Sequence, residues 1–212
     1  MQPLLILGTH HFAPEVFDLV SGLPDFRVDG FVENIDAERT REAIEGLPVY
    51  WIDEAARFTS THKVICALGT TRRTRIVAEA TSIGFEFATI VHPVGRVSSR
   101  SELGPGTLVS AGAVIATRTR IGAHVIVNRG ALIGHDVQIG DFVTIGPGAN
   151  IAGLCSIGEG AYVAAGALVI DRISVGAGAV VAAGAVVVKD VAANTQVMGV
   201  PAQVVKENVE GR

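Results

Sequence analysis

Residues 121–151 read IGAHVIVNRGALIGHDVQIGDFVTIGPGANI. An aliphatic residue stands at every sixth place: Ile121, Val127, Ile133, Ile139, Ile145 and Ile151. The phase extends back through Ile115, Val109, Leu103 and Val97 to Val91, and forward through Ile157, Val163, Val169, Val175 and Val181 to Val187. Four places after each aliphatic residue, from Thr107 to Ala167, the side chain is small or β-branched, and Ile173 is the bulky exception. A period of six suits neither a 3.6-residue helix nor a plain alternating strand. It suits a short strand plus a turn, with the aliphatic residue pointing inward and the small one at the next corner. Glycine directly after the aliphatic residue, as at Gly104, Gly122, Gly134, Gly140, Gly146, Gly158 and Gly176, is expected to ease the corner. Three hexads make a coil of eighteen residues, so the seventeen hexads of residues 91–192 wind about five to six coils of a triangular prism, each resting on its neighbours.

Residues 1–90 read differently. Short apolar strands at Pro3–Leu7, Phe26–Val32, Val49–Ile52 and Lys63–Leu68 alternate with helical stretches at Ala13–Leu23, from Asp53, and at Thr71–Ile83. The alternation predicts a small Rossmann-like α/β unit: a parallel sheet with helices on both faces and a ligand crevice at the carboxyl ends of its strands. Candidate residues there are Gly8, Thr9, His10, His11, Glu33, Gly69, Thr70, Thr71 and Arg72. A dinucleotide fingerprint is missing, since His10 and Ala13 stand where glycines are needed, which argues against NAD. Residues 193–212 are expected to form a C-terminal tail.

The 212 residues are 49% hydrophobic, 5% aromatic and 18% charged, with 25 glycines, which matches thin aliphatic packing. A net charge of −4 without a basic block argues against a nucleic-acid partner. The longest uncharged apolar stretch, Ile173 to Val188, is too short for a membrane span and contains three glycines. Two cysteines cannot make a disulfide framework, and MQPLLILGTHHF lacks the features of a secretion signal, so a reducing cytoplasm is the expected location.

His135 occupies the third place of its hexad, where side chains point out of the prism, and Asp136 follows it. A carboxylate beside an imidazole can orient it as a general base. Gly153 falls eighteen residues on, in the same column, and would leave room beside His135 and offer a backbone N–H to a carbonyl oxygen. The plain alternative is a solvent-facing histidine. Zinc would need a third ligand beside His124 and His135, and the repeat supplies none. Cys66 and Cys155 read as core, His92 as part of a His-Pro turn, His62 as a loop residue, and Arg72 and Arg75 equally as phosphate ligands or a solvated face.

The α/β unit, the His-Pro junction, the run VNRGALIGHDVQIGDF from Val127 to Phe142 and the ending MGVPA from Met198 to Ala202 resemble the bacterial hexapeptide sugar acyltransferases. The likeness is greatest to the nucleotide-amino-sugar N-acetyltransferases and the sialic-acid O-acetyltransferase-like proteins. It implies a left-handed parallel β-helix and a homotrimer with acetyl-CoA between neighbouring prisms, with no metal. It makes His135 the general base, Asp136 its orienting acid, Asn128 an acceptor contact and Gly153 the N–H donor to the acetyl carbonyl. Ala165 and Ala183 match small positions along pantetheine, and Gly199 and Pro201 match a turn near the CoA nucleotide. Two positions depart from the pattern. His11 and Phe12 replace the Gly-His of the first-strand loop, and Thr144 replaces a second histidine near the acetyl group. The implied reaction is direct acetyl transfer from acetyl-CoA to the amino group of a nucleotide-linked amino sugar. The alternatives are O-acetylation of a sugar and a prism kept only for assembly.

Overall fold

A computed structural model describes residues 1–209 and 211, apart from the side chain of Arg72. The first unit carries strands β1 (Gln2–Leu7), β2 (Phe26–Glu33), β3 (Ala43–Ile44), β4 (Leu47–Trp51), β5 (Lys63–Cys66) and β6 (Glu86–Phe87) in the order β3-β4-β2-β1-β5-β6. Every neighbouring pair is parallel except β3 with β4. Alternation along β1 sends Leu4 and Ile6 against Ala13, Val16 and Val20 of α1 (Phe12–Ser21). It sends Leu5 and Leu7 to the opposite face, against Ile52 and Ala55 of α2 (Ile52–Ala55) and Ile76, Val77 and Ala80 of α3 (Thr74–Ser82). Helices therefore cover both faces, as the sequence predicts. The expected third helix starts late, because Thr71–Arg73 form a 3-10 turn before it.

In the second unit, two-residue strands stack every eighteen residues, as in Leu108, Ile126, Thr144, Tyr162 and Val180. They build parallel sheets of eight, six and five strands, the eight-stranded one closing on an antiparallel pair, and the arrangement fits a left-handed parallel β-helix. The aliphatic column fills the interior from Val109 onward, while Val91, Val97 and Leu103 are half-buried in the first coil. Thr107 and Thr119 donate to the carbonyls of Gly122 and Gly134, and the Cys155 thiol lies 3.1 Å from the Ile170 carbonyl, so Cys155 belongs to the core.

The glycines after the aliphatic residues serve another purpose than the one expected. The left-handed corner lies three places after each aliphatic residue, where φ is positive at every sixth residue from Gly106 to Gly184. Gly104, Gly134, Gly140, Gly146, Gly158 and Gly176 instead meet the backbone of the next coil: a Cβ on Gly134 would fall 2.6 Å from the Gly153 nitrogen. These positions let the coils stack closely.

After Val187 the coil shortens by two residues. Val191 bridges Val175, and Val197 pairs with Val181, at a spacing of sixteen. Among the described residues, the expected C-terminal tail holds two strands. Thr195–Gly199 extends the eight-stranded sheet and Ala202–Glu207 folds back antiparallel on it.

Arg73 joins the two units. Only 1% exposed, it donates through Nε to the His124 carbonyl, through Nη1 to the Thr70 carbonyl and the Thr144 hydroxyl, and through Nη2 to the Phe142 and Val143 carbonyls. All five donors of the fork are used. Burial pulls the guanidinium down to about 10, which leaves it cationic at neutral pH. His124 completes the seam, its ring 4.5 Å from Phe87 and 5.0 Å from Phe142. Burial and the Arg73 charge lower its pKa, and Nδ1 has no partner among the described residues.

Arg73→Met removes all five donors that serve four carbonyls and the Thr144 hydroxyl at this seam. It should lower stability by about 3–4 kcal/mol in urea denaturation, with Arg73→Lys intermediate. Because His124 is harder to protonate in the folded chain than in the unfolded one, acidification below its ordinary 6.5 favours unfolding. The drop in Tm between neutral pH and about pH 5.5 should therefore be smaller in His124→Asn than in the parent chain.

Candidate active site

His135 stands on the turn between strand Leu132–Ile133 and strand Gln138–Ile139 and is exposed. Its Nδ1 lies 2.7 Å from Asp136 Oδ2. Arg118, one coil earlier, holds the same carboxylate with both prongs: Nε donates to Oδ1 and Nη2 to Oδ2, each at 2.7 Å. The Arg118 guanidinium, and after it the His135 imidazole, keep the Asp136 carboxyl well below the usual carboxylate range. An ionised carboxylate only accepts, so the proton of neutral His135 rests on Nδ1 and the lone pair on Nε2. Nε2 faces Gly153, where a Cβ would fall 2.7 Å from it. The Gly153 N–H makes no hydrogen bond among the described residues, while its carbonyl accepts from the Arg172 N–H. The column thus sets a free base beside a free amide donor.

A second concavity opens at the carboxyl end of β1. A cavity of about 360 Å³ is lined by Thr9, His10, His11, Pro14 and Arg39, together with Ala43, Ile44 and Glu45. Thr9 donates to Glu33, and the N–H groups of Asn34 and Ile35 donate to the other oxygen of that carboxylate. Burial alone would raise the Glu33 pKa, but these hydrogen bonds outweigh it and hold the carboxyl low. Arg39 Nη2 donates to the Thr9 carbonyl at 2.8 Å, and Nη1 lies 3.4 Å from His10 Nδ1.

Residues 118–153 match the family model described as bacterial transferase hexapeptide (six repeats). A variant of perosamine N-acetyltransferase from Caulobacter crescentus, solved with CoA and GDP-perosamine, is 32% identical, with 96% of this chain and 97% of that one covered and a TM-score of 0.89. The chain belongs to the hexapeptide-repeat sugar acetyltransferases. The acetyltransferase domain of PglB from Neisseria gonorrhoeae, in complex with acetyl coenzyme A, is similar at 29% identity over 96% of this chain and 99% of that one, with a TM-score of 0.89. WeeI from Acinetobacter baumannii follows at 26% identity over 95% and 99%, with a TM-score of 0.84. No curated protein sequence matches the chain.

Within this acetyltransferase the expected site residues fall on four places. His135, Asp136 and Gly153 share the corner between the six- and five-stranded sheets. Asn128, Ala165 and Ala183 share the corner between the eight- and six-stranded sheets. Asn128 is 8% exposed, and its neighbour Arg129 pairs with Glu15 of α1 at 2.8 Å; Ala165 and Ala183 are open to solvent. Thr9, His10 and His11 line the crevice, Gly8 packs under it against Leu68, and Gly69 sits beside Phe12 with Thr70 exposed. Glu33 is buried and shapes the loop from behind. Gly199 and Pro201 form the exposed tip of the C-terminal hairpin. The side chain of Arg72 lies outside the described residues.

Two positions need correction. Thr144, expected at the cofactor, is 1% exposed under the first unit with its hydroxyl bound by Arg73. Thr71, expected in the crevice, is buried and turned toward Gly211. Sequence reasoning overlooked Arg118, although the column rule of eighteen that links His135 to Gly153 also links Arg118 to Asp136. It also overlooked Arg39 and Arg73.

Gly134→Ala drives a methyl into the backbone of the next coil and should lower Tm, by several degrees for a cost of about 1–3 kcal/mol. In Gly153→Ala the three nearest atoms belong to the His135 ring, which can swing aside. The second variant should keep its Tm within a few degrees yet lose the Nδ1-bound proton signal of His135 in NMR.

Proposed function

We propose that the chain transfers an acetyl group from acetyl-CoA to the amino group of a nucleotide-linked amino sugar. The observation that carries the chemistry is the Nε2 lone pair of His135 beside the unpartnered Gly153 N–H. Supporting the substrate class are the perosamine N-acetyltransferase solved with CoA and GDP-perosamine and the PglB domain solved with acetyl coenzyme A. When bound, acetyl-CoA supplies a thioester carbonyl to be attacked. His135 Nε2 accepts the proton from the attacking nitrogen and passes it to the departing sulfur as the C–S bond breaks. The Gly153 N–H donates to the carbonyl oxygen as negative charge gathers there. Direct transfer needs no nucleophile from the chain, and Cys155, with its thiol in the core, offers none.

Ala165 and Ala183 present a smooth column for pantetheine, with the Gly199–Pro201 tip near its nucleotide end. The first unit, read as Rossmann-like, takes the nucleotide at Thr9, His10, His11 and Arg39, with Gly8, Glu33, Gly69, Thr70 and Arg72 shaping that end of the sheet. Asn128 stands on the acceptor side. One prism holds the His135 corner and the Ala165–Ala183 corner apart, so a second copy must bring its own corner alongside, which a homotrimer does three times over. We place the reaction in the cytoplasm.

A thermal-shift screen with acetyl-CoA, CoA and UDP-, GDP- and dTDP-linked amino sugars tests the substrates. A ligand at a hundredfold its Kd stabilises the fold by about 2.7 kcal/mol. Stabilisation by acetyl-CoA and by one amino sugar supports the reading; no response to any CoA overturns it. With that pair, His135→Ala should lower thiol release by about 10²–10⁴-fold while the assembly sediments unchanged, and full activity would remove the base.

A further inference from the structure

We infer that Arg118 is a positioning residue of the acetyl transfer: its two-pronged grip sets the Asp136 carboxylate so that His135 keeps its proton on Nδ1 and its lone pair on Nε2. The inference rests on the reading of His135 as the base. A carboxylate can rotate about its last bond and present either oxygen in many directions. Here Nε of Arg118 takes Oδ1, while Nη2 shares Oδ2 with the imidazole, all at 2.7 Å. A planar fork against a planar carboxylate fixes the plane as well as the distance. Both residues sit at left-handed corners, φ 56° and 57°, stacked one coil apart, so the backbone aims the two side chains at each other.

Stability gives Arg118 little reason to be there. Its side chain is 57% exposed and that of Asp136 29%, and exposed pairs contribute little to folding. The charge arithmetic points the same way. Without Arg118, His135 would face a bare carboxylate, which favours the imidazolium, a form with no lone pair to offer. With it, the imidazole faces a neutralised pair. The other charged groups around are few. Arg118 and Asp136 line a groove of about 310 Å³ with Arg100, Glu102, Arg120 and Gln138, where Arg120 stands 3.6 Å from Glu102 and the Arg100 guanidinium has no partner among the described residues. Three coils on from Arg118 in the same column, Arg172 pairs with Asp171.

The test compares Arg118→Gln, Arg118→Lys and His135→Ala in full-length protein. It follows the His135 imidazole by NMR titration and thiol release from acetyl-CoA with the acceptor that the parent chain uses. Arg118→Gln should leave Tm within a few degrees, lower kcat about tenfold and leave KM for acetyl-CoA within about twofold. Its His135 titration and the acid limb of kcat/KM should move together to higher pH by about half a unit to one unit. Arg118→Lys should return the acid limb to its place through its charge, but recover only part of kcat, because an ammonium cannot fork. An unmoved titration, or a loss of kcat that only tracks a loss of Tm, overturns the inference while leaving His135 as the base. Full activity in His135→Ala removes both.

Discussion

The catalytic corner and the column beside it depend on one constraint: coils of the prism rest on the coil eighteen residues before them, through backbone N–H groups donating to carbonyls across the step. The constraint turns sequence separation into adjacency. His135 lies over Gly153, Arg118 meets Asp136, and Ala165 lies over Ala183 for the same reason. It also explains the small residues, because neighbouring strands lie only about 4.8 Å apart. A side chain on Gly134 would strike the Gly153 nitrogen, so the glycine that permits stacking also keeps the amide beside His135 uncovered.

The prism was legible because its signal is repetition: seventeen aliphatic residues in phase leave no other economical packing. The reason for the glycines was not legible. Positive φ and close approach both call for glycine, and only the built coil shows that the first belongs to Gly106 and its successors at every sixth place and the second to Gly134 and its kind. His135 and Asp136 were legible as adjacent residues at an outward place. Arg118 was encoded just as clearly, but reading it requires applying the column rule backward as well as forward.

Contacts between the two units lay beyond pattern reading. Nothing in the run TTRRTR, with its three arginines, tells that Arg73 is to be buried. Arg73 is buried because the 3-10 turn at Thr71–Arg73 aims it at the Phe142 and Val143 carbonyls, on a prism face that repeat logic treats as equivalent to the other two. Thr144 was misplaced for the same reason: its place in the hexad is outward, and only the packing of the first unit makes outward mean buried.

The shortened last coil bears on how long the solenoid can be. A stack of parallel strands has two raw edges, each able to accept another strand. Below, the first coil begins at Ile90–Val91, whose Ile90 is packed into the core of the α/β unit. Above, the two-residue deficit before Val191 throws the chain out of phase, and the hairpin of Thr195–Gly199 and Ala202–Glu207 lays an antiparallel strand, with Pro201 at its turn and Lys206 and Glu207 at its end, where the next eight-strand rung would go. The eight-stranded sheet is thereby covered at both ends, so on that face a repeat that could in principle propagate indefinitely is given a fixed length.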